Sequence, residues 1–157
     1  MRTFYLHPGQ IVASSEPCSV TTILGSCVAV CLWDGETGVG GINHFLLPHF
    51  AGNGSASPRF GNVAMDQLLA KLVDRGARRE GLRAKLFGGA CVLEALRGMG
   101  GSLGPKNVDL ARRFLLDTGI PVVAEDVEGD RGRKLTFQTA DGSATVRMLS
   151  GGANGNG

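Results

Sequence analysis

The sequence predicts a single-domain α/β fold, a mixed β-sheet sandwich with helices packed against it. Three observations carry that prediction. Short apolar, β-branched-rich runs recur between Gly-containing turns, as at 28–32, 39–47 and 120–124. Two other segments, 63–75 and 107–118, space their apolar residues as an amphipathic helix does. Strands and helices are interspersed without a strict βαβ rhythm or any internal repeat. The 157 residues, 43% hydrophobic and 19% charged, are one domain's worth of chain and can bury a real core. The domain is expected over 1–150, with the Gly/Asn-rich stretch 151–157 as a disordered tail.

The first hairpin is the best defined. Val28 to Leu32 reads as a strand closed by Trp33-Asp34, Gly35-Glu36-Thr37-Gly38 supplies the turn, and a second apolar run leads from Val39 to Leu47 and Pro48. Asn62 is placed as a helix N-cap. The helix behind it buries Met65, Leu68, Leu69, Leu72 and Val73 and stops at Gly76. Residues 84–87 form a short strand ending in Gly88-Gly89, and 91–99 are a brief helix or a loop. The second helix is capped by Asn107, turns Val108, Leu110, Ala111, Phe114 and Leu115 inward and closes at Gly119. Runs 134–139 and 143–149 alternate around Ala140-Asp141-Gly142, a hairpin.

Charge and composition narrow the function. A net charge of +2 is too mild for a nucleic-acid partner. No apolar run reaches the ~18 residues a membrane span needs, and no signal segment is visible, so a cytoplasmic protein without membrane insertion is expected. Cys18, Cys27, Cys31 and Cys91 include no C-x-x-C pair, and His7, His44 and His49 lack metal-ligand spacing. Neither a metal nor a cofactor is expected. The Gly-rich stretch 100–107 is no phosphate loop, and the charged stretch 126–133 reads as a solvated connection. The Gly/Ser segment 51–57 is either a lid or a linker.

The chemistry-bearing pattern is Thr21-Thr22-Ile23-Leu24-Gly25-Ser26-Cys27, followed by Gly41-Ile42-Asn43-His44. A cysteine nucleophile needs a base within hydrogen-bond reach, and the base needs an orienting partner. If the hairpin turn centres between Gly35 and Glu36, opposed residues sum to 71 and Cys27 faces His44 directly. Opposed residues point to the same side, with Cβ atoms about 4.5–5.5 Å apart, and a slip of one residue would separate them. The alternative is a buried, inert Cys27 and a hydrogen-bonded strand-end His44.

These residues bring a family into view. The chain resembles CheD, the chemoreceptor glutamine deamidases of bacterial and archaeal chemotaxis. The likeness runs in order through His7-Pro8-Gly9-Gln10, the Leu-Gly-Ser-Cys and Asn-His segments, Phe87-Gly88-Gly89-Ala90, Gly104-Pro105-Lys106-Asn107 and the stretch 126–133. It implies Cys27 as nucleophile, His44 as general base and acid, and Thr21, six residues before the cysteine, as the residue that orients the histidine. It also implies a thioester mechanism on receptor glutamines, chemoreceptor cytoplasmic helices as substrate, and a CheC phosphatase as a possible second partner. Phe60-Gly61-Asn62 and Cys91-Val92-Leu93 depart from the family pattern at positions that touch packing and substrate contacts. Two other classes share these features: a small cysteine peptidase, and an adaptor that binds receptors or a phosphatase with little catalysis.

Overall fold

The computed structural model describes residues 1–50, 52, 56–91 and 103–150. The expectations for the tail, for 92–99 and for most of the 51–57 segment lie outside the described residues. Among the described residues the strands are β1 (Arg2–Tyr5), β2 (Ile11–Ser14), β3 (Cys18–Leu24), β4 (Val28–Asp34), β5 (Val39–Asn43), β6 (Leu82–Gly88), β7 (Val122–Val127), β8 (Arg133–Gln138) and β9 (Ala144–Met148). The helices are α1 (Gly61–Asp74) and α2 (Leu103–Thr118). None of these helices is long and apolar enough to cross a membrane.

The strands form two mixed sheets, β1-β3-β8-β9 and β2-β5-β4-β6-β7. β4 sits at the centre of the larger sheet and is buried along its whole length, so its alternating side chains feed two cores. Val28, Val30 and Leu32 pack with Met65, Leu68 and Leu72 of α1 and Val108, Ala111 and Leu115 of α2. Ala29, Cys31 and Trp33 pack between the sheets with Val20, Leu24, Leu135 and Phe137. The result is three layers, sheet on sheet on helices, as the sequence predicts. The sheets approach very closely at Gly40, where an added Cβ would stand 2.0 Å from the carbonyl oxygen of Thr139.

Several boundaries move, each for a local reason. Trp33 and Asp34 close β4 as its last residues, and Asp34 ends it inside the core, because Arg78 and the N–H of Glu36 satisfy its carboxylate. Asp34 therefore pairs with Val39, the four residues between them make the loop, and opposed residues of the hairpin sum to 73, not 71. Asn62 lies inside α1, where its side chain holds both the N–H and the carbonyl of Phe50, and the N-cap position falls to Phe60. Val73 leaves the buried stripe and is 41% exposed. Asn107 is no cap either. α2 begins four residues earlier, with Pro105 in the first turn where a missing N–H costs nothing, and Asn107 is buried. The strand expected at 120–124 runs instead from Val122 to Val127, in parallel with β6.

Candidate active site

Cys27 stands at the entrance to β4, after the Gly25-Ser26 bend that follows β3. Its thiol is half-buried and packs toward the inter-sheet core. The carbonyls of Gly25, Ser26 and Cys27 are each held by a hydrogen bond. Ala90 N–H donates to Gly25, the Asn107 side-chain amide to Ser26 at 3.0 Å, and Gly89 N–H to Cys27 at 2.8 Å. Gly88 permits this approach: its φ is 103°, and an added Cβ would lie 2.3 Å from the Cys27 carbonyl oxygen. With the carbonyls so engaged, the N–H groups of Ser26 and Cys27 donate no hydrogen bond among the described residues.

His44 follows β5 and is 2% exposed. The β4–β5 ladder is interrupted just before it, where the Asn43 side chain replaces a backbone carbonyl as acceptor for Val30 N–H. The ladder resumes at the Val28–Phe45 bridge with the same register, so His44 lies opposite Ala29. Cys27 is two residues from Ala29 and shares its side of the sheet. The directly facing pair expected from the sequence is thus a diagonal pair, on one face, at a spacing of roughly 7 Å. A register displaced by two residues preserves the face where a displacement of one would have destroyed it.

The hydroxyl beside His44 is not the one expected to orient it. Thr22 Oγ1 lies 2.7 Å from His44 Nδ1 and also donates to the Leu6 carbonyl at 2.7 Å. A hydroxyl has one proton, and Leu6 takes it, so Nδ1–H must be the donor toward Thr22. The neutral ring is then the Nδ1–H tautomer, with the lone pair on Nε2. That Nε2 is buried and makes no hydrogen bond, to Cys27 or to anything else described. Thr21, named from the resemblance, does not reach His44. It points out of the opposite face of β3, 3.1 Å from Thr136 Oγ1 of the neighbouring strand. The reason is strand alternation: Val20, Thr22 and Leu24 are buried while Thr21 and Ile23 are not.

Burial sets the resting protonation. It pushes the His44 imidazole from 6.5 down to about 4, with nearby His7 adding to the effect, and pushes the Cys27 thiol up. Near neutral pH both groups are uncharged. An arrangement of neutral thiol, neutral imidazole with a bare Nε2, and free backbone N–H donors suits nucleophilic attack on a carbonyl with proton transfer through the histidine. Thr22 and Asn107 are the functional candidates that sequence reasoning missed. The parity of Val20 and Leu24 pointed to Thr22; for Asn107 the only signal was its place in a Gly-Pro-Lys-Asn block.

Comparison with known proteins places the chain in a family. The family model described as "CheD chemotactic sensory transduction" matches residues 46–148. The "Probable chemoreceptor glutamine deamidase CheD 1" of Anaeromyxobacter dehalogenans is 55% identical over 92% of this chain and 84% of its own length. The similarly named "Probable chemoreceptor glutamine deamidase CheD" proteins of Trichlorobacter lovleyi and Sulfurimonas denitrificans are 45% and 38% identical, over 90% and 92% of this chain and 88% and 93% of theirs. These alignments extend far beyond the segment that the family model matches. On both grounds, the chain belongs to the CheD family.

Proposed function

We propose that this protein is a protein-glutamine deamidase that converts glutamine side chains on chemoreceptor cytoplasmic helices to glutamate, with Cys27 as nucleophile and His44 as general base and acid. The observation that carries the reading is the hydrogen-bond chain Leu6–Thr22–His44, which leaves a bare Nε2 on the face shared with Cys27. The substrate class comes from the names of the relatives.

His44 Nε2 takes the Cys27 thiol proton as sulfur attacks the side-chain carbonyl carbon of the glutamine. Because both groups rest uncharged, the proton moves as attack proceeds and no standing ion pair precedes it. The N–H groups of Ser26 and Cys27 receive the developing oxyanion. Protonated His44 hands its proton to the amide nitrogen, the C–N bond breaks, and ammonia leaves a thioester on Cys27. Water then attacks the thioester with His44 again accepting a proton, glutamate departs, and the thiol is restored. Thr22 holds the ring in the required tautomer, a duty that a hydroxyl performs without supplying the charge of a carboxylate. A CheC phosphatase, the second partner that the resemblance implies, would compete for the same face.

The test is intact and peptide mass spectrometry of a chemoreceptor cytoplasmic fragment incubated with wild-type protein and with Cys27→Ala. The expected result is a gain of about one mass unit per glutamine and release of ammonia with wild type alone, given the hydrolysis of an amide to an acid through the cysteine. Cleaved fragments would make the protein a peptidase. Binding without conversion by either protein would make it an adaptor.

A further inference from the structure

Asn107 is an unusual occupant of its position. It sits within α2, fully buried, where an asparagine is a poor helix former and a buried amide must be satisfied. Its Nδ2 spends both protons on distant backbone: one on the Ser26 carbonyl at 3.0 Å and one on the Leu46 carbonyl at 2.9 Å. Ser26 immediately precedes Cys27, and Leu46 lies two residues after His44. The other two carbonyls of the cysteine loop, those of Gly25 and Cys27, are held by backbone N–H groups. Asn107 is therefore the side chain that ties the nucleophile's loop to the base's segment. Its Oδ1 is buried and has no hydrogen-bond partner among the described residues.

We propose that Asn107 is a positioning residue for the reaction, setting the separation of Cys27 and His44 and turning the Cys27 N–H toward the reacting carbonyl. The inference rests on the reading that Cys27 and His44 carry the chemistry. A peptide carbonyl drawn toward α2 forces the N–H on the other side of the same peptide plane to point away from it, here toward the site. Removing the amide releases Ser26 and Leu46 together and loosens both reacting segments. Substrate binding is not expected to depend on it, because Asn107 is not exposed.

Two variants test this. Asn107→Asp keeps the shape but replaces both donors with a carboxylate facing two carbonyls; Asn107→Ser keeps one donor at shorter reach. Deamidation kinetics on a receptor fragment are measured per folded enzyme, with folding followed by thermal melting and Cys27 reactivity by site-resolved iodoacetamide labelling. At pH 7.5 both variants are expected to lose at least about tenfold in kcat with KM within about twofold, the loss of one to two positioning hydrogen bonds. Cys27 labelling should change with them. Lowering the pH toward 5.5 should partly restore Asn107→Asp, whose protonated carboxyl regains one donor, and leave Asn107→Ser unrestored. If either folded variant keeps wild-type kcat and labelling, the proposal is overturned. Should one variant melt below the assay temperature, the other decides. Cys27→Ala run in parallel separates the two failures: full activity there would sink the catalytic reading itself, whereas an inactive Cys27→Ala beside active Asn107 variants would sink only the positioning role.

Discussion

The two ends of β4 bury polar groups in opposite ways. At the C-terminal end Asp34 is fully buried, and every part of its carboxylate is used. Arg78 donates through Nε and Nη2 at 3.0 Å and through its backbone N–H at 2.9 Å, and Glu36 N–H adds a fourth bond at 3.1 Å. The Arg78 guanidinium holds the Asp34 carboxyl well below the usual carboxylate range. At the N-terminal end Cys27 and His44 have burial without compensation: no cation lowers the thiol, and one imidazole nitrogen goes unpaired. The same strand thus carries a satisfied group that fixes the hairpin and an unsatisfied pair with capacity left for a substrate. Burial alone does not mark a site; burial with an open hydrogen-bonding position does.

Breaking the unsatisfied end should have the largest effect. On the proposed mechanism His44→Gln removes the base, and kcat/KM for glutamine conversion should fall roughly a thousandfold. A variant that kept a tenth of the activity would remove His44 from the chemistry. Its pH signature is equally specific. The imidazole titrates at 6.5 when unfolded and at about 4 when folded, so on acidification the unfolded chain takes up the proton first. His44 therefore contributes stability in full above pH 6.5 and loses it as pH falls toward 4. Urea unfolding at pH 7 and pH 4.5 should show a smaller acid loss for His44→Gln than for wild type.

The satisfied end should respond in stability and not in rate. Arg78→Met leaves the Asp34 carboxylate buried with only backbone donors, which should lower Tm by roughly 8 °C at pH 7 while leaving kcat within about twofold. The sign of its pH dependence separates it from His44. The Asp34 carboxyl is depressed below its ordinary 3.8, so the ion pair stabilises above that value and the contribution fades only in stronger acid. A large drop in kcat for Arg78→Met at a temperature where it is fully folded would erase the contrast between the two ends.

Much of this architecture was legible in the sequence, because the signals were local. Apolar periodicity marked α1 and α2, and the Gly-containing turns marked the β4–β5 and β8–β9 hairpins. Cys27 and His44 stood out by residue type and context. What escaped was set by long-range partners. The register depended on whether Asp34 could enter the core, and that was decided by Arg78, which is 44 residues away. The role of Asn107 depended on two carbonyls 81 and 61 residues earlier in the chain. β1 and β2 are short segments that become strands by pairing with β3 and β5, and their own sequence gives little reason to expect it.

The smallest expected effect is also the sharpest test of strand parity. Thr21 and Thr22 are adjacent, chemically identical and on opposite faces of β3. Thr22→Val keeps the shape but removes the oxygen that accepts His44 Nδ1–H, freeing the ring to rotate or to adopt the other tautomer, with its proton on Nε2. One lost positioning hydrogen bond corresponds to about tenfold in kcat. Thr21→Val gives up only the contact with Thr136 on the outer face, and its kcat should stay within about twofold. If the order is reversed, the hydroxyl that matters is on the other side of the sheet, and the path from Leu6 through Thr22 to His44 is not what orients the base. If both variants match wild type, the imidazole is held by its packing alone, and the burial that drives its pKa to about 4 would be the whole of what the fold does for it.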